Sequence, residues 1–99
     1  MRPTISLVIP AFNEAGTVGG VVRAAISSKL FLEVIVVDDG SEDYTVNLAQ
    51  KAGADVIMLP QNYGKGFATR EGCLKAQGDL IMCWVPALMK LPQEAFVSS

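Results

Sequence analysis

Two adjacent carboxylates, Asp38 and Asp39, close an unbroken apolar run in "VIVVDDGSED" (residues 34–43), with Gly40 and Ser41 directly after them. A carboxylate pair at the mouth of a buried strand is placed to accept hydrogen bonds from ribose hydroxyls or base N–H groups. Turn chemistry accounts for their neighbours: Gly40 permits a sharp turn, and Ser41 or Asp43 can accept from the free N–H groups of a following helix. It accounts less well for Asp38 and Asp39, because a cap needs one acceptor and not two side by side. Two further stretches could do chemistry. In "PAFNEAG" (10–16), Pro10 ends an apolar run, and Asn13 is expected to cap a helix starting at Glu14, whose charge suits a helix N-terminus. In "NYGKGFATR" (62–70), Lys65 stands between two glycines before a helical pattern. Exposed backbone N–H groups, a helix N-terminus and a cation together suit a phosphate. It is not a Walker A loop, since the earlier glycine and the following Ser/Thr are absent.

The elements that must position these residues are legible in the apolar pattern. "ISLVIP" (5–10), "EVIVV" (33–37), "DVIML" (55–59) and "DLIMCW" (79–84) are apolar throughout, which predicts strands covered on both faces and hence a parallel sheet. Helical spacing predicts an inward face of Val18, Val21, Val22, Ala25 and Ile26 over 14–28. Over 43–52 that face is Val46, Leu48, Ala49 and Ala52, with Gly53 as a left-handed cap. Over 65–77 it is Phe67, Ala68, Leu74 and Cys73, with Gly78 as the stop. The order β-α-β-α-β-α-β predicts a Rossmann-like open α/β sheet, strand order 3-2-1-4, with helices on both faces. The three stretches then follow the first, second and third strands at one edge, where such sheets bind ligands.

Composition narrows the classes. Ninety-nine residues, 51% hydrophobic and 18% charged, fit one globular domain over 1–99. A net charge of −2 with interspersed signs leaves no footprint for nucleic acid. The run "LIMCWVPALM" is about half the length of a membrane-spanning helix, so no membrane span is expected. The absence of histidine excludes His-based catalysis and His-ligated metal. Cys73 and Cys83 have neither metal-ligand nor redox spacing, and two buried thiols in a reducing cytoplasm is the expectation.

Taken together, "SLVIPAFNEAGTVGGVV", "EVIVVDDGSEDYT" and "AGADVIMLPQNYGKGFATREGCLKAQGDLI" resemble the opening half of family 2 glycosyltransferases with the GT-A fold. The resemblance runs in order from residue 5 to about 94. It implies transfer of a sugar from a nucleotide-activated donor, with Mg²⁺ or Mn²⁺ as the usual metal. It places Pro10, Ala11 and Glu14 in a nucleoside pocket, Asp38 or Asp39 on the base or ribose, and Lys65 near the base or the diphosphate.

The resemblance breaks at one motif. The family's Asp-x-Asp slot, after "GD" and about five apolar residues, reads Val85-Pro86-Ala87, which offers a cation no side-chain oxygen. Asp79 lies at the opposite end of that strand. No metal is therefore expected in this chain, and no catalytic residue is assigned. The family's domain is also about twice this length, so a truncated domain without its acceptor half is the expectation. Two functions compete: a glycosyltransferase domain that is not competent alone, and a nucleotide-binding or oligomeric module without chemistry. A phosphoacceptor receiver is set aside, because the third strand ends in Leu59-Pro60 instead of an acceptor aspartate. An apolar fourth strand followed by "VPALMKLPQEAFVSS", rich in Ile81, Met82, Trp84, Leu88 and Phe96, points to a homo-oligomer built on the C-terminal region.

Overall fold

The computed structural model describes residues 2–84, so the slot at 85–87 and the residues after it lie outside the described chain. Seven elements alternate along it: β1 (Ile5–Ala11), α1 (Val18–Ser28), β2 (Glu33–Asp38), α2 (Thr45–Ala52), β3 (Asp55–Met58), α3 (Lys65–Lys75) and β4 (Leu80–Cys83). The strands form one sheet in the order β3-β2-β1-β4, and every pairing is parallel. Both the fold class and the strand order match the sequence expectation.

The two central strands are buried along nearly their whole length because alternate side chains meet helices on opposite faces. Leu7, Ile9, Ala11, Val34 and Val36 pack with Val18, Val22 and Ala25 of α1 and Ala49 of α2. Val8, Ile35 and Val37 face the other way, toward Ala68 of α3. This two-sided burial is why the strands read as continuous apolar runs. The approach of α3 depends on Gly72, where an added Cβ would lie 2.3 Å from Val8 Cγ1 and 3.0 Å from Val37 Cγ2.

The outer strands depart from expectation. β4 is exposed along its length and β3 at both ends, although both were predicted to be covered on two faces. Each is a four-residue edge strand with one neighbouring strand among the described residues; α2 packs against β3 but covers only its central residues, with Val56 and Ile57 partly buried. For the same reason Cys83 is exposed and Cys73 half-buried, so the expected pair of buried thiols is corrected. Phe67 and Leu74 also prove exposed; α3 turns its small residues Ala68 and Gly72 to the sheet instead. On the other side Ile26 and Leu48 are exposed, while Ala25 and Ala49 fill their place in the core.

At the N-terminal edge of the sheet, Glu33 Oε2 accepts from the Ser6 hydroxyl (2.6 Å) and the Gln77 N–H (2.6 Å). Asp79 Oδ2 accepts from the Thr4 N–H at 2.9 Å. Asp79 is thereby tied to the end of the sheet away from Asp38, as its position in the strand predicts. Gly53 caps α2 at φ 109°, again as expected.

Candidate functional site

The register brings the candidate residues to one edge. Ala11 pairs with Asp38, Pro10 with Val37, and Asp38 with Met58. Two hydrogen bonds extend the ladder past the strands: Asp39 N–H to Ala11 O (2.8 Å) and Leu59 N–H to Asp38 O (2.9 Å). Pro10, Ala11, Glu14, Asp38, Asp39 and Lys65 therefore all lie at or beyond the carboxyl ends of β1, β2 and β3.

The two aspartates are equally buried, each 3% exposed, yet they do different things. Asp38 Oδ2 accepts from the Ser41 N–H at 3.1 Å, which closes the turn at Gly40. Its Oδ1 is buried with no donor among the described residues. Burying a carboxylate oxygen without a donor costs about 1–3 kcal/mol or more, so an atom left in this state calls for an explanation. Asp39 is fully engaged: Oδ1 accepts from the Tyr63 N–H and Oδ2 from the Gly64 N–H, each at 2.8 Å. Two of the N–H groups that could have met a phosphate before α3 are thus already taken. Lys65, the first residue of α3, is exposed, so its ammonium is free to reach into solvent.

The loop after β1 is laced to the loop after β2. Asn13 N–H donates to Ser41 Oγ (2.8 Å), and Glu42 N–H donates to Asn13 Oδ1 (2.9 Å). Glu14 N–H donates to Thr45 Oγ1 (2.8 Å), and Ala15 N–H to Asp43 Oδ2 (3.2 Å). These bonds replace the caps expected from sequence. Helix α1 starts at Val18 and not at Glu14, and Asn13 adopts φ 51°, which asparagine tolerates. Ser41 serves the neighbouring loop instead of α2. The Glu14 carboxylate accepts from the Thr17 hydroxyl at 3.1 Å.

Sequence reading missed Thr45, which is fully buried at the start of α2. Its hydroxyl donates to Asp43 Oδ1 while accepting from Glu14 N–H. That hydroxyl hydrogen bond, joined by the N–H groups of Thr45 and Ala15, holds the Asp43 carboxyl below its ordinary range against a smaller opposing effect of burial. The Asp-x-Thr spacing before a helix was the available signal; the bond across loops had none. Gly40 is required twice over. It sits at φ +79°, and a Cβ there would lie 2.6 Å from the Gln61 carbonyl carbon.

An open parallel sheet of order β3-β2-β1-β4 with acidic and basic residues gathered at its carboxyl edge defines a Rossmann-like α/β domain. Residues 6–84 match the sequence profile of Glycosyl transferase family 2. The chain belongs to that family. It is 37% identical over 94 residues to a dolichyl-phosphate beta-glucosyltransferase of Mus musculus, covering 79% of this chain and 29% of that protein. It is 34% identical over 100 residues to an undecaprenyl-phosphate 4-deoxy-4-formamido-L-arabinose transferase of Yersinia pestis, covering 91% and 31%. Among solved structures it is similar to glucosyl-3-phosphoglycerate synthase of Mycobacterium tuberculosis in complex with Mn²⁺, uridine diphosphate and glucosyl-3-phosphoglycerate. That match has a TM-score of 0.69 and 34% identity, over 82% of this chain and 33% of the other. Mannosyl-3-phosphoglycerate synthase of Rubrobacter xylanophilus matches with a TM-score of 0.70 and 33% identity, over 80% and 29%. The chain thus spans about a third of the length of these relatives. No helix among the described residues is long and apolar enough to cross a membrane.

Proposed function

We propose that this chain binds the nucleoside diphosphate of a nucleotide-sugar donor at the carboxyl edge of its sheet. The observation that carries the reading is Asp38 Oδ1, a buried acceptor without a donor, at the end of β2 between the loops that follow β1 and β3. An N–H or O–H of a nucleoside would satisfy it. Pro10 and Ala11 line the same edge, Glu14 stands on the adjoining loop, and Lys65 brings the positive charge that a diphosphate needs. Uridine diphosphate is the probe to use, since it occupies the solved relative.

Calorimetry at millimolar uridine diphosphate should show weak binding that Asp38→Ala reduces at least about tenfold, the scale of one charge-assisted hydrogen bond. The melting temperature should barely change, because the substitution removes an unpaired buried oxygen along with the bond to Ser41. No heat from the unsubstituted chain would sink the reading. A binding loss matched by a stability loss would make Asp38 a structural residue only.

We further propose that residues 1–99 do not transfer sugar by themselves. Val85 and Ala87 carry no side-chain oxygen for a divalent cation, and among the described residues no three His, Cys, Asp or Glu side chains come together. The residues present do not fit the metal. The alternative, an oligomeric module, draws on β4, where Leu80, Ile81 and Met82 are 53%, 43% and 50% exposed on a sheet edge that pairs with no further strand among the described residues. Such edges seek partners, and light scattering should report a dimer or larger species; a monomer at high concentration removes this proposal. A cytoplasmic location accords with the two free thiols, one of them exposed.

A further inference from the structure

We propose that Cys73 and Cys83 form a reversible dithiol site, closed to a disulfide between α3 and β4 by exchange with a low-molecular-weight disulfide. Their spacing in the sequence gives no sign of this; the fold brings them together.

The sheet register places Cys83. It is the partner of Val8 in the parallel pairing of β1 with β4, and such partners share a face of the sheet. Val8 packs with Ala68 of α3, whereas Trp84, the residue after Cys83, packs on the opposite cluster with α1. Successive side chains of a strand alternate between faces, so Cys83 stands on the α3 side. The helix places Cys73. A Cβ on Gly72 would collide with Val8 Cγ1, so the backbone of α3 lies directly over Val8, and Cys73 is the next residue. The two cysteines thus flank Val8, one on the helix above it and one on the strand beside it. Their thiols also sense each other: partial desolvation holds the Cys83 thiol above its ordinary range, and the nearness of Cys73 adds to the effect.

Cys83 is exposed and Cys73 half-buried, so a small disulfide R–S–S–R meets Cys83 first. The Cys83 thiolate attacks one sulfur, forming a mixed disulfide and expelling RS⁻. The Cys73 thiolate then attacks the Cys83 sulfur, closes the protein disulfide and expels the second RS⁻. The two cysteine protons end on the two departing thiolates, and the two electrons lost by the cysteine pair reduce R–S–S–R to two RSH. Only a thiolate attacks, so the raised Cys83 thiol makes the first step slow at neutral pH. Closure is eased because β4 is an edge strand with one neighbouring strand among the described residues, and can lean toward α3 without breaking a second ladder.

Oxidised glutathione is the probe. In glutathione buffers of rising oxidised share, the native chain should lose two hydrogen atoms by mass, and peptide mapping should find Cys73 linked to Cys83. A short loop can close in any chain, so the comparison is with the same chain in guanidinium chloride. The effective concentration of the two thiols should be at least about tenfold higher in the native state. The oxidised chain should accordingly melt about 5 °C or more above the reduced one, and dithiothreitol should reverse the gain. Cys73→Ser should stop at a glutathione adduct on Cys83; neither cysteine belongs to the buried clusters, so this variant should fold. A native chain that itself stops at that adduct, or that links Cys83 to a second chain, would overturn the proposal. So would a native pair that closes no more readily than the denatured one.

Discussion

Gly72→Val should leave the chain without a cooperative unfolding transition, and Gly72→Ala should lower the melting temperature by about 10 °C. A single added Cβ would stand 2.3 Å from Val8 Cγ1 and 3.0 Å from Val37 Cγ2, against an optimum carbon–carbon separation of about 3.5–4.0 Å. Neither neighbour can retreat, because Val8 and Val37 are fully buried in the two central strands. Alanine in place of a helical glycine gains about 1 kcal/mol of helix propensity. Overpacking a core costs about 1–3 kcal/mol, and occasionally more. With the contact this short, the clash wins. Valine adds two methyl groups to the same contact and must lift α3 from the sheet, which exposes Ala68 and the face of Val8, Ile35 and Val37. A small domain holds only about 5–15 kcal/mol in all. Val8→Ala combined with Gly72→Ala should recover part of the loss, as it removes the nearest methyl. Thermal unfolding followed by circular dichroism decides the matter. A Gly72→Ala chain as stable as the original would mean that α3 does not approach the sheet this closely.

The sheet was legible because its central strands are buried on both faces, and "SLVIP" and "VIVV" leave no alternation to misread. The edges were not, since "DVIML" and "DLIMCW" look equally apolar while only a neighbour on each side would cover them. Burial in α3 was misjudged at Phe67 and Leu74, where size suggested core; the sheet instead admits Ala68 and Gly72 because large residues from β1 and β2 already fill the space. The site divides in the same way. That Asp38 and Asp39 close a strand follows from local pattern, but their different tasks do not. Which one keeps a free oxygen depends on the Tyr63 and Gly64 N–H groups, 24 and 25 residues further on. Local rules also assigned Asn13 and Ser41 to helix caps, whereas both spend their hydrogen bonds between loops.

Adding Mn²⁺ should leave uridine diphosphate affinity unchanged in this sequence and raise it at least about tenfold once Val85→Asp and Ala87→Asp are combined. The expectation follows from ligand chemistry. A hard divalent cation needs anionic or carbonyl oxygens, and of the three residues in the slot only the backbone can offer any. Trp84, the last described residue, donates its N–H to Val8 O at 2.8 Å, so the chain is still paired with β1 immediately before the slot. On the proposed reading Lys65 would offer the diphosphate one charge, but a single ammonium cannot clamp two phosphates as a divalent ion does. In the unsubstituted chain EDTA should therefore change nothing, and donor turnover should not exceed background hydrolysis. The double substitution supplies two carboxylates and should make affinity respond to EDTA and to excess Mn²⁺. It should still give no turnover, because no group among these residues has been placed to activate an acceptor. Metal-dependent affinity in the original sequence would show that other residues have taken over the missing carboxylates' task. A double variant blind to Mn²⁺ would show that the slot is not at 85–87, and the alignment that places it there would have to shift.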